Sequence, residues 1–298
     1  MDLVSAIITT YKRPINILRR AISSILSQTY QNIELIVIND NPDDIALSKE
    51  IGDMLLTIAP HATYIVNEKN IGASNSRNIG IQKSNGKYIA FLDDDDEWMP
   101  SKIESQYNEI IAEPNIGLVH GNFMLESPNY SKMVKVIHPK NPLKELVKLN
   151  YIGSTSIPLI NCSIARKVGG FDPSLRMGED YDLWIRIASI SKIKYVNKLL
   201  IKYYVSNDST FRFNHKNRVL AQHVWNKKYE KIFEKYKFAR CYGLNMGAIR
   251  TITNGKKDFR AYFAIKKMAI KLQPFNLFNY IFLPWMFAQE LKWKICSK

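Results

Sequence analysis

Apolar and polar positions fall into alternating blocks over the first 120 residues. Leu3 to Thr9 is a β-rich apolar run and Ile33 to Ile38 is a second. Short apolar runs bounded by turn signals fit buried strands. Between them Pro14 opens a helix, since proline suits the first helical position, and Ile15, Leu18, Ala21, Ile22 and Ile25 recur along one face. Asn39-Asp40-Asn41-Pro42 is a turn, followed by an expected helix to about Ile58. Ala62 to Val66 predicts a third strand, and Asn70-Ile71-Gly72 turns into a helix over Ala73 to Lys83. Asn85-Gly86 leads into a strand over Tyr88 to Leu92. Trp98-Met99-Pro100-Ser101 starts the next helix, and Ile116 to His120 is a further strand.

Repeated β-α units predict a mostly parallel, three-layer sheet. In such folds ligands bind beyond the carboxyl ends of the strands. Three polar turns fall there: Thr9-Thr10-Tyr11, Asn39-Asp40 and Asp93 to Asp96. Past residue 125 the pattern weakens. Gly169-Gly170-Phe171-Asp172-Pro173 reads as a turn, and Glu179 to Ile190 as a helix with an acidic first turn. From about Asn214 the chain reads as several basic helices.

The aspartate run is the strongest chemical signal. Four like charges, Asp93 to Asp96, follow an apolar strand, and a divalent cation would offset them, because hard cations take carboxylate oxygens. If the chain stays extended, Asp93 and Asp95 face one way and Asp94 and Asp96 the other. The competing reading is a solvated acidic turn opening the next helix. The run by itself leaves both open.

Composition adds an asymmetry. The net charge of +15 is concentrated in residues 192–298, with 23 Lys and Arg against 5 Asp and Glu, while residues 1–191 carry 19 against 22. A basic segment points to an anionic partner, a membrane surface or a nucleic acid. The near-neutral first 191 residues, with acids gathered at strand ends, argue against nucleic acid there. Phe275 to Phe287 is a dense apolar block broken by Asn276, Asn279 and Pro284, preceded by Lys266, Lys267 and Lys271 and followed by Lys292, Lys294 and Lys298. It suits a helix lying in a membrane interface, or equally an extension packing its aromatics on the preceding α/β domain. No run reaches the length of a membrane span, and no signal peptide is expected. Cys162, Cys241 and Cys296 are sparse and odd in number, which fits a reducing compartment. The histidines, His61, His120, His138, His215 and His223, lack metal-site spacing. Ser154-Thr155-Ser156 lacks a nucleophile-elbow context, no P-loop or GxGxxG is present, and Trp98 and Trp184 read as core.

Taken in order, several stretches resemble family 2 glycosyltransferases. They are Ala6-Ile7-Ile8-Thr9-Thr10-Tyr11-Lys12-Arg13-Pro14, Ser24 to Tyr30, Glu34 to Asp40, Asn70 to Gly80, the aspartate run, and Gly178-Glu179-Asp180-Tyr181-Asp182-Leu183-Trp184. The resemblance covers residues 3–205. It implies a GT-A fold, a Rossmann-like three-layer α/β/α sandwich, and a C-terminal helical extension is expected beside it. The expected division is a catalytic domain over 1–205, with nucleotide-sugar binding in 1–120 and acceptor binding in 121–205, then a basic helical region over 206–298.

The resemblance further implies inverting sugar transfer from a nucleotide-sugar, UDP-sugar favoured over GDP-sugar, to a glycan or lipid-linked glycan acceptor of a bacterial surface polysaccharide. By the same resemblance Asp95 is the metal ligand for Mn2+ or Mg2+, and Asp93 and Asp94 compete for the ribose contact. Thr9, Tyr11, Asp40 and Arg77 match nucleotide-binding positions. Asp180 matches the base, with Glu179 and Asp182 as alternatives. One departure is Asn39, where the family often has an acid. A cytoplasmic setting is expected, with attachment at the inner face of the plasma membrane and packing on the catalytic domain left as the two readings of the C-terminal region. Two rival functions, a sugar nucleotidyltransferase and a basic nucleic-acid-binding protein, lack supporting motifs: Thr9 to Pro14 holds none of the glycines the first requires.

Overall fold

The computed structural model describes residues 1–205, 214–253 and 257–280. The first half alternates as the apolar blocks predict. The order is β1 (Val4–Thr10), α1 (Ile15–Leu26), β2 (Ile33–Asn39), α2 (Ile45–Ile58), β3 (Thr63–Val66), α3 (Ala73–Lys83) and β4 (Tyr88–Asp93). A two-residue strand β5 (Glu97–Trp98), α4 (Lys102–Ile111), β6 (Ile116–Ser127) and β7 (Tyr130–Val134) come next. They are followed by α5 (Pro142–Lys148), β8 (Leu159–Asn161), α6 (Cys162–Lys167), α7 (Glu179–Ile190) and β9 (Lys192–Tyr204).

The strands form one sheet in the order β3-β2-β1-β4-β8-β6-β9-β5, with β7 paired to β6. β1, β2, β3 and β4 are parallel, as are β6 and β9. β8 runs antiparallel to β4 and β6, and β5 and β7 are antiparallel to their partners. The architecture is therefore a mixed sheet, parallel in the half that ends at the polar turns. The register sets Thr9 beside Asp93 and Thr10 beside Asn39. All three turns are thereby lined up along one edge.

Alternating strand residues feed two apolar layers, as a pleat requires. Ala6, Ile8, Val37, Ala90 and Leu92 join Leu18, Ile22, Met54 and Ile103 in the core on one side. Ile7, Ile36, Ile38 and Phe91 face the other way and are equally buried. On that second face α3 closes tightly on β1: a β-carbon at Gly80 would meet Ile7 Cγ2 at 2.5 Å. Trp98 and Trp184 are buried, as expected of core residues.

The chain divides into two compact units. The first comprises Met1–Pro142, Tyr151–Ser174 and Glu179–Asn207, and holds the sheet. The second comprises Leu143–Asn150, Leu175–Gly178 and Asp208–Lys298. Its described part is helical: α8 (His215–Lys228), α9 (Glu230–Lys235), α10 (Lys237–Thr253) and α11 (Phe259–Leu272). Leu244, Ala248, Phe259, Tyr262, Ile265 and Ala269 form its core. A buried polar network threads that core, in which Lys266 donates to Asn245 Oδ1 and Asn245 Nδ2 to Asn279 Oδ1. Phe275 and Leu277 are exposed; Ile281 to Phe287, the rest of the apolar block, and the lysines after it lie outside the described residues. Among the described residues no helix is long and apolar enough to cross a membrane.

Candidate active site

β4 ends at Asp93, and the chain turns through Asp94 and Asp95 before β5 begins at Glu97. The extended alternation expected for the four aspartates therefore stops at the first of them, because the turn rotates the next two out of the pleat. Each carboxylate meets different partners. Asp93 Oδ1 accepts from Arg77 Nη2 and from Thr155 Oγ1, both at 2.8 Å. Asp94 Oδ2 accepts from Thr10 Oγ1 at 2.8 Å, and its Oδ1 accepts from Arg13 Nε at 2.8 Å. Asp95 Oδ2 accepts from Arg13 Nη2 at 3.0 Å. Burial pushes the Asp95 carboxyl up despite the opposing charge of Arg13.

Asp96 departs from expectation. It is not a solvated helix start: it is fully buried, and α4 begins only at Lys102. Its Oδ2 accepts from Ser156 Oγ at 2.6 Å and its Oδ1 from the Tyr204 backbone N–H at 3.1 Å. Burial raises its pKa well above the usual carboxylate range, with Asp93 adding to the shift. Ser156 also accepts from the Asp93 backbone N–H at 3.0 Å. Asp96 and Ser156 thus fasten the turn from below, and a buried carboxyl with a donor on each oxygen is a structural clamp. Glu97 is likewise occupied, accepting from Tyr204 Oη at 2.8 Å.

Arg77 joins two parts of the sequence that are far apart. It lies on α3, is almost fully buried, and pairs with Glu179 at the start of α7 at 3.2 Å as well as with Asp93. Burial works against its charge, but Asp93 and then Glu179 outweigh that, so the guanidinium stays protonated. The Glu179-Asp180 pair is thereby held beside the aspartate turn. Asp180 is partly exposed, and its Oδ1 accepts from the Tyr181 backbone N–H at 2.6 Å. Crowding by protein, with the charge of Glu179 adding, pushes its carboxyl up to about 7. Asp182 is different: it is fully buried and bound to Arg186 at 2.7 Å, one turn along α7. Of the three acids in this segment, Asp182 is the one committed to holding the helix.

Asp40 organises a loop. Its Oδ1 accepts from Asn67 Nδ2 at 2.7 Å and the Ile71 backbone N–H at 2.9 Å, and its Oδ2 accepts from the Gly72 N–H at 2.8 Å. Gly72 has φ 84°, a left-handed conformation that favours glycine, and it caps α3, the helix that carries Arg77. Asn39, which stands where the family often has an acid, turns inward and donates to Ser48 Oγ at 2.8 Å. Thr9 sits in β1 beside Asp93, and Tyr11 is half-exposed on the next loop.

The residues anticipated from sequence therefore gather along one edge of the first unit: Thr9, Asp40, Arg77, the Asp93–Asp95 turn, Glu179 and Asp180. Four that the sequence reading passed over join them. Arg13 was visible in the first motif. Thr10 stood in the same motif, and Thr155 and Ser156 in a stretch marked only by the lack of a nucleophile elbow; none of the three had a site role, because a hydroxyl carries no sequence signal of which carboxylate it will meet.

The same residues bear on a cation. Among the described residues no group of three or more His, Cys, Asp or Glu side chains is arranged to hold a metal unaided. The Asp95 side chain is 33% exposed, against 8% for Asp94, so it is the carboxylate of the turn best presented to solvent. One such ligand suits a hard divalent ion whose remaining positions are filled by phosphate oxygens and water.

The sequence profile of the glycosyl transferase family 2 matches residues 5–168, a span that contains the aspartate turn, Arg13, Asp40 and Arg77. The chain belongs to glycosyltransferase family 2. An uncharacterized glycosyltransferase of Methanocaldococcus jannaschii is 30% identical over 230 residues, covering 75% of this chain and 77% of the relative. The Escherichia coli enzyme WfgD, a UDP-Glc:alpha-D-GlcNAc-diphosphoundecaprenol beta-1,3-glucosyltransferase, is 32% identical over 212 residues, 70% of this chain and 79% of WfgD. Two solved structures share the fold. Staphylococcus aureus TarS 1-349, in complex with UDP-GlcNAc, has a TM-score of 0.62 at 12% identity, covering 91% of this chain and 81% of TarS. The mannosyltransferase PcManGT of Pyrobaculum calidifontis, in complex with GDP-Man and Mn2+, has a TM-score of 0.60 at 15% identity, covering 98% of this chain and 86% of PcManGT. The fold of this family 2 member is accordingly GT-A.

Proposed function

We propose that this chain transfers a sugar, with inversion, from a UDP-sugar in preference to a GDP-sugar onto a hydroxyl of a glycan or lipid-linked glycan. The observation that carries the reading is the Arg77 guanidinium lying between Asp93 and Glu179, which ties the donor turn to the acid pair that would take the acceptor proton. A bacterial surface polysaccharide as product fits the lipid-diphosphate acceptor named for WfgD.

In this reading Thr9, Tyr11, Asp40 and Arg77 frame the nucleotide, with Asp40 acting through the loop it orders. Asp93 or Asp94 takes the ribose. The engagement of both Asp94 oxygens by Thr10 and Arg13 favours Asp93 for that contact. Asp95 would hold Mn2+ or Mg2+ jointly with the donor, and such an ion offsets the charge that develops on the departing diphosphate. The acceptor oxygen forms a bond to the anomeric carbon as the carbon–oxygen bond to phosphate breaks, its electron pair leaving with the nucleoside diphosphate. The hydroxyl proton passes to an Asp180 oxygen. A base is most useful when its pKa lies near the working pH, which suits a carboxyl raised to about 7.

The basic second unit would meet an anionic membrane surface on the cytoplasmic side, where a lipid-linked acceptor is found. Phe275, Leu277 and Phe238 are exposed apolar residues of that unit. Co-sedimentation with anionic vesicles at low and high salt tests this, and absence of binding by folded protein at low salt rejects it.

The decisive experiment on the chemistry uses Asp180→Asn. It should bind UDP with Mn2+ as the parent does in calorimetry and lose transfer of radiolabelled sugar. Substantial remaining turnover would move the base to Glu179.

A further inference from the structure

We propose that Arg13 is the resident counter-ion of the aspartate turn, and that it reserves Asp95 so that a divalent cation binds only together with the donor. The inference rests on the donor-site reading above and adds an order of binding to it.

The loop after β1 is built to deliver this side chain. Lys12 has φ 53°, a left-handed conformation that side-chain-bearing residues seldom adopt, and Pro14 holds φ −53° two residues on. Between these two constraints Arg13 reaches back to the end of β4. Its Nε and Nη2 both lie 2.8 Å from Asp94 Oδ1, and Nη2 lies 3.0 Å from Asp95 Oδ2. One guanidinium therefore bridges two carboxylates and offsets part of their charge.

The two halves of this contact are unequal. Asp94 is nearly buried and is also held by Thr10. Asp95 and Arg13 are 33% and 29% exposed, so their contact lies open to an incoming ligand. The backbone beneath is fixed independently: Arg20 Nη2 donates to the Asp95 carbonyl at 2.6 Å, and its guanidinium stacks 3.8 Å from the Tyr204 ring centroid. Exchange of partners thus calls for movement of the Arg13 side chain alone.

A bare divalent cation approaching Asp95 meets a positive charge already on the oxygen it needs, and an arginine displaced from Asp95 gains no partner beyond the Asp94 Oδ1 contact it already makes. A cation arriving with a nucleoside diphosphate brings that acceptor, since phosphate oxygens match the arginine fork. Arg13 then passes from Asp95 to the diphosphate while the cation takes the carboxylate. In the absence of donor the arginine stays on Asp95 and the site stays metal-poor.

The test titrates Mn2+ into the full chain without nucleotide, following free Mn2+ by electron paramagnetic resonance. Arg13→Gln should bind Mn2+ about tenfold tighter than the parent. The gain should vanish in the double variant with Asp95→Asn. Arg13→Lys, which keeps the charge but contacts fewer oxygens and guards against loss of fold in the glutamine variant, should fall between parent and Arg13→Gln. Parent protein with Mn2+ and UDP together provides the control. If it shows no Mn2+-dependent UDP binding, the donor-site reading itself fails. If that binding is present but the two Arg13 variants hold Mn2+ no more tightly than the parent, the role of Arg13 is overturned alone.

Discussion

Arg77 and Asp93 lie 2.8 Å apart across the edge of the sheet, and the other arm of the same guanidinium reaches Glu179 at 3.2 Å. The arginine is almost buried, whereas its two acids keep about a quarter of their side-chain surface, 26% and 24%. Removing it would leave two carboxylates facing each other without a cation. Arg77→Ala should therefore lower stability by roughly 2 to 4 kcal/mol and abolish detectable donor binding. Arg77→Lys should recover part of the stability and little of the binding, because an ammonium cannot span both acids. Chemical denaturation and calorimetry on the same samples separate the two effects.

The acid limb of the activity profile should belong to the Glu179-Asp180 pair. Asp180 is raised to about 7, and as a base it works only when ionised, so kcat/KM should climb as pH rises through that value and level off above it. The charge of Glu179 contributes to the elevation, so Glu179→Gln should move the limb to lower pH. The same shift has a cost in stability. The folded protein keeps a proton that the unfolded chain releases near the ordinary carboxylate pKa, so stability falls with rising pH between the two values. A limb unmoved by Glu179→Gln would point to another group.

Asp40 should prove as important to the fold as to the ligand. Its carboxylate accepts three hydrogen bonds, two of them from the backbone of the turn that starts α3. Asp40→Ala should destabilise the protein by about 2 to 3 kcal/mol and weaken UDP binding indirectly by loosening the helix that carries Arg77. Weakened binding with unchanged thermal stability would assign Asp40 to the nucleotide alone.

Lys102 gives a signature of stability that is independent of the active site. It is fully buried on α4, donates to Gln106 Oε1 at 2.8 Å, and lies over the Trp98 ring. Burial lowers its pKa well below the ordinary lysine value. The unfolded chain then binds a proton that the folded chain does not, so stability rises with pH up to the unfolded-state pKa. Lys102→Met should remove this contribution. The stability of the parent relative to the variant should grow with pH in urea titrations at several pH values, and a difference independent of pH would refute the assignment.

Much of the architecture follows from local pattern. The short apolar runs in β1, β2 and β4, bounded by turn residues, fit buried strands, the helical spacing after Pro14 marks α1, and Glu179 to Ile190 has the acidic start of a helix. Glycines and prolines mark the turns because their backbone preferences are intrinsic. The ordered motifs carried the family as well, and with it the edge of the sheet where the site lies.

Other features depend on residues distant in sequence. Nothing local distinguishes Asp96, clamped in the interior by Ser156 and Tyr204, from its neighbour Asp95, left open beside Arg13. Nothing local sets β8 antiparallel between β4 and β6, bringing Thr155 and Ser156 under the aspartates. A carboxylate's role depends on its burial and on the donors that reach it. The sequence determined that acids would stand at the ends of these strands. Which acid faces water, which pairs with an arginine and which is sealed within was decided only by the packing of α3, α7, β8 and β9 around them, because desolvation and hydrogen bonding act through space.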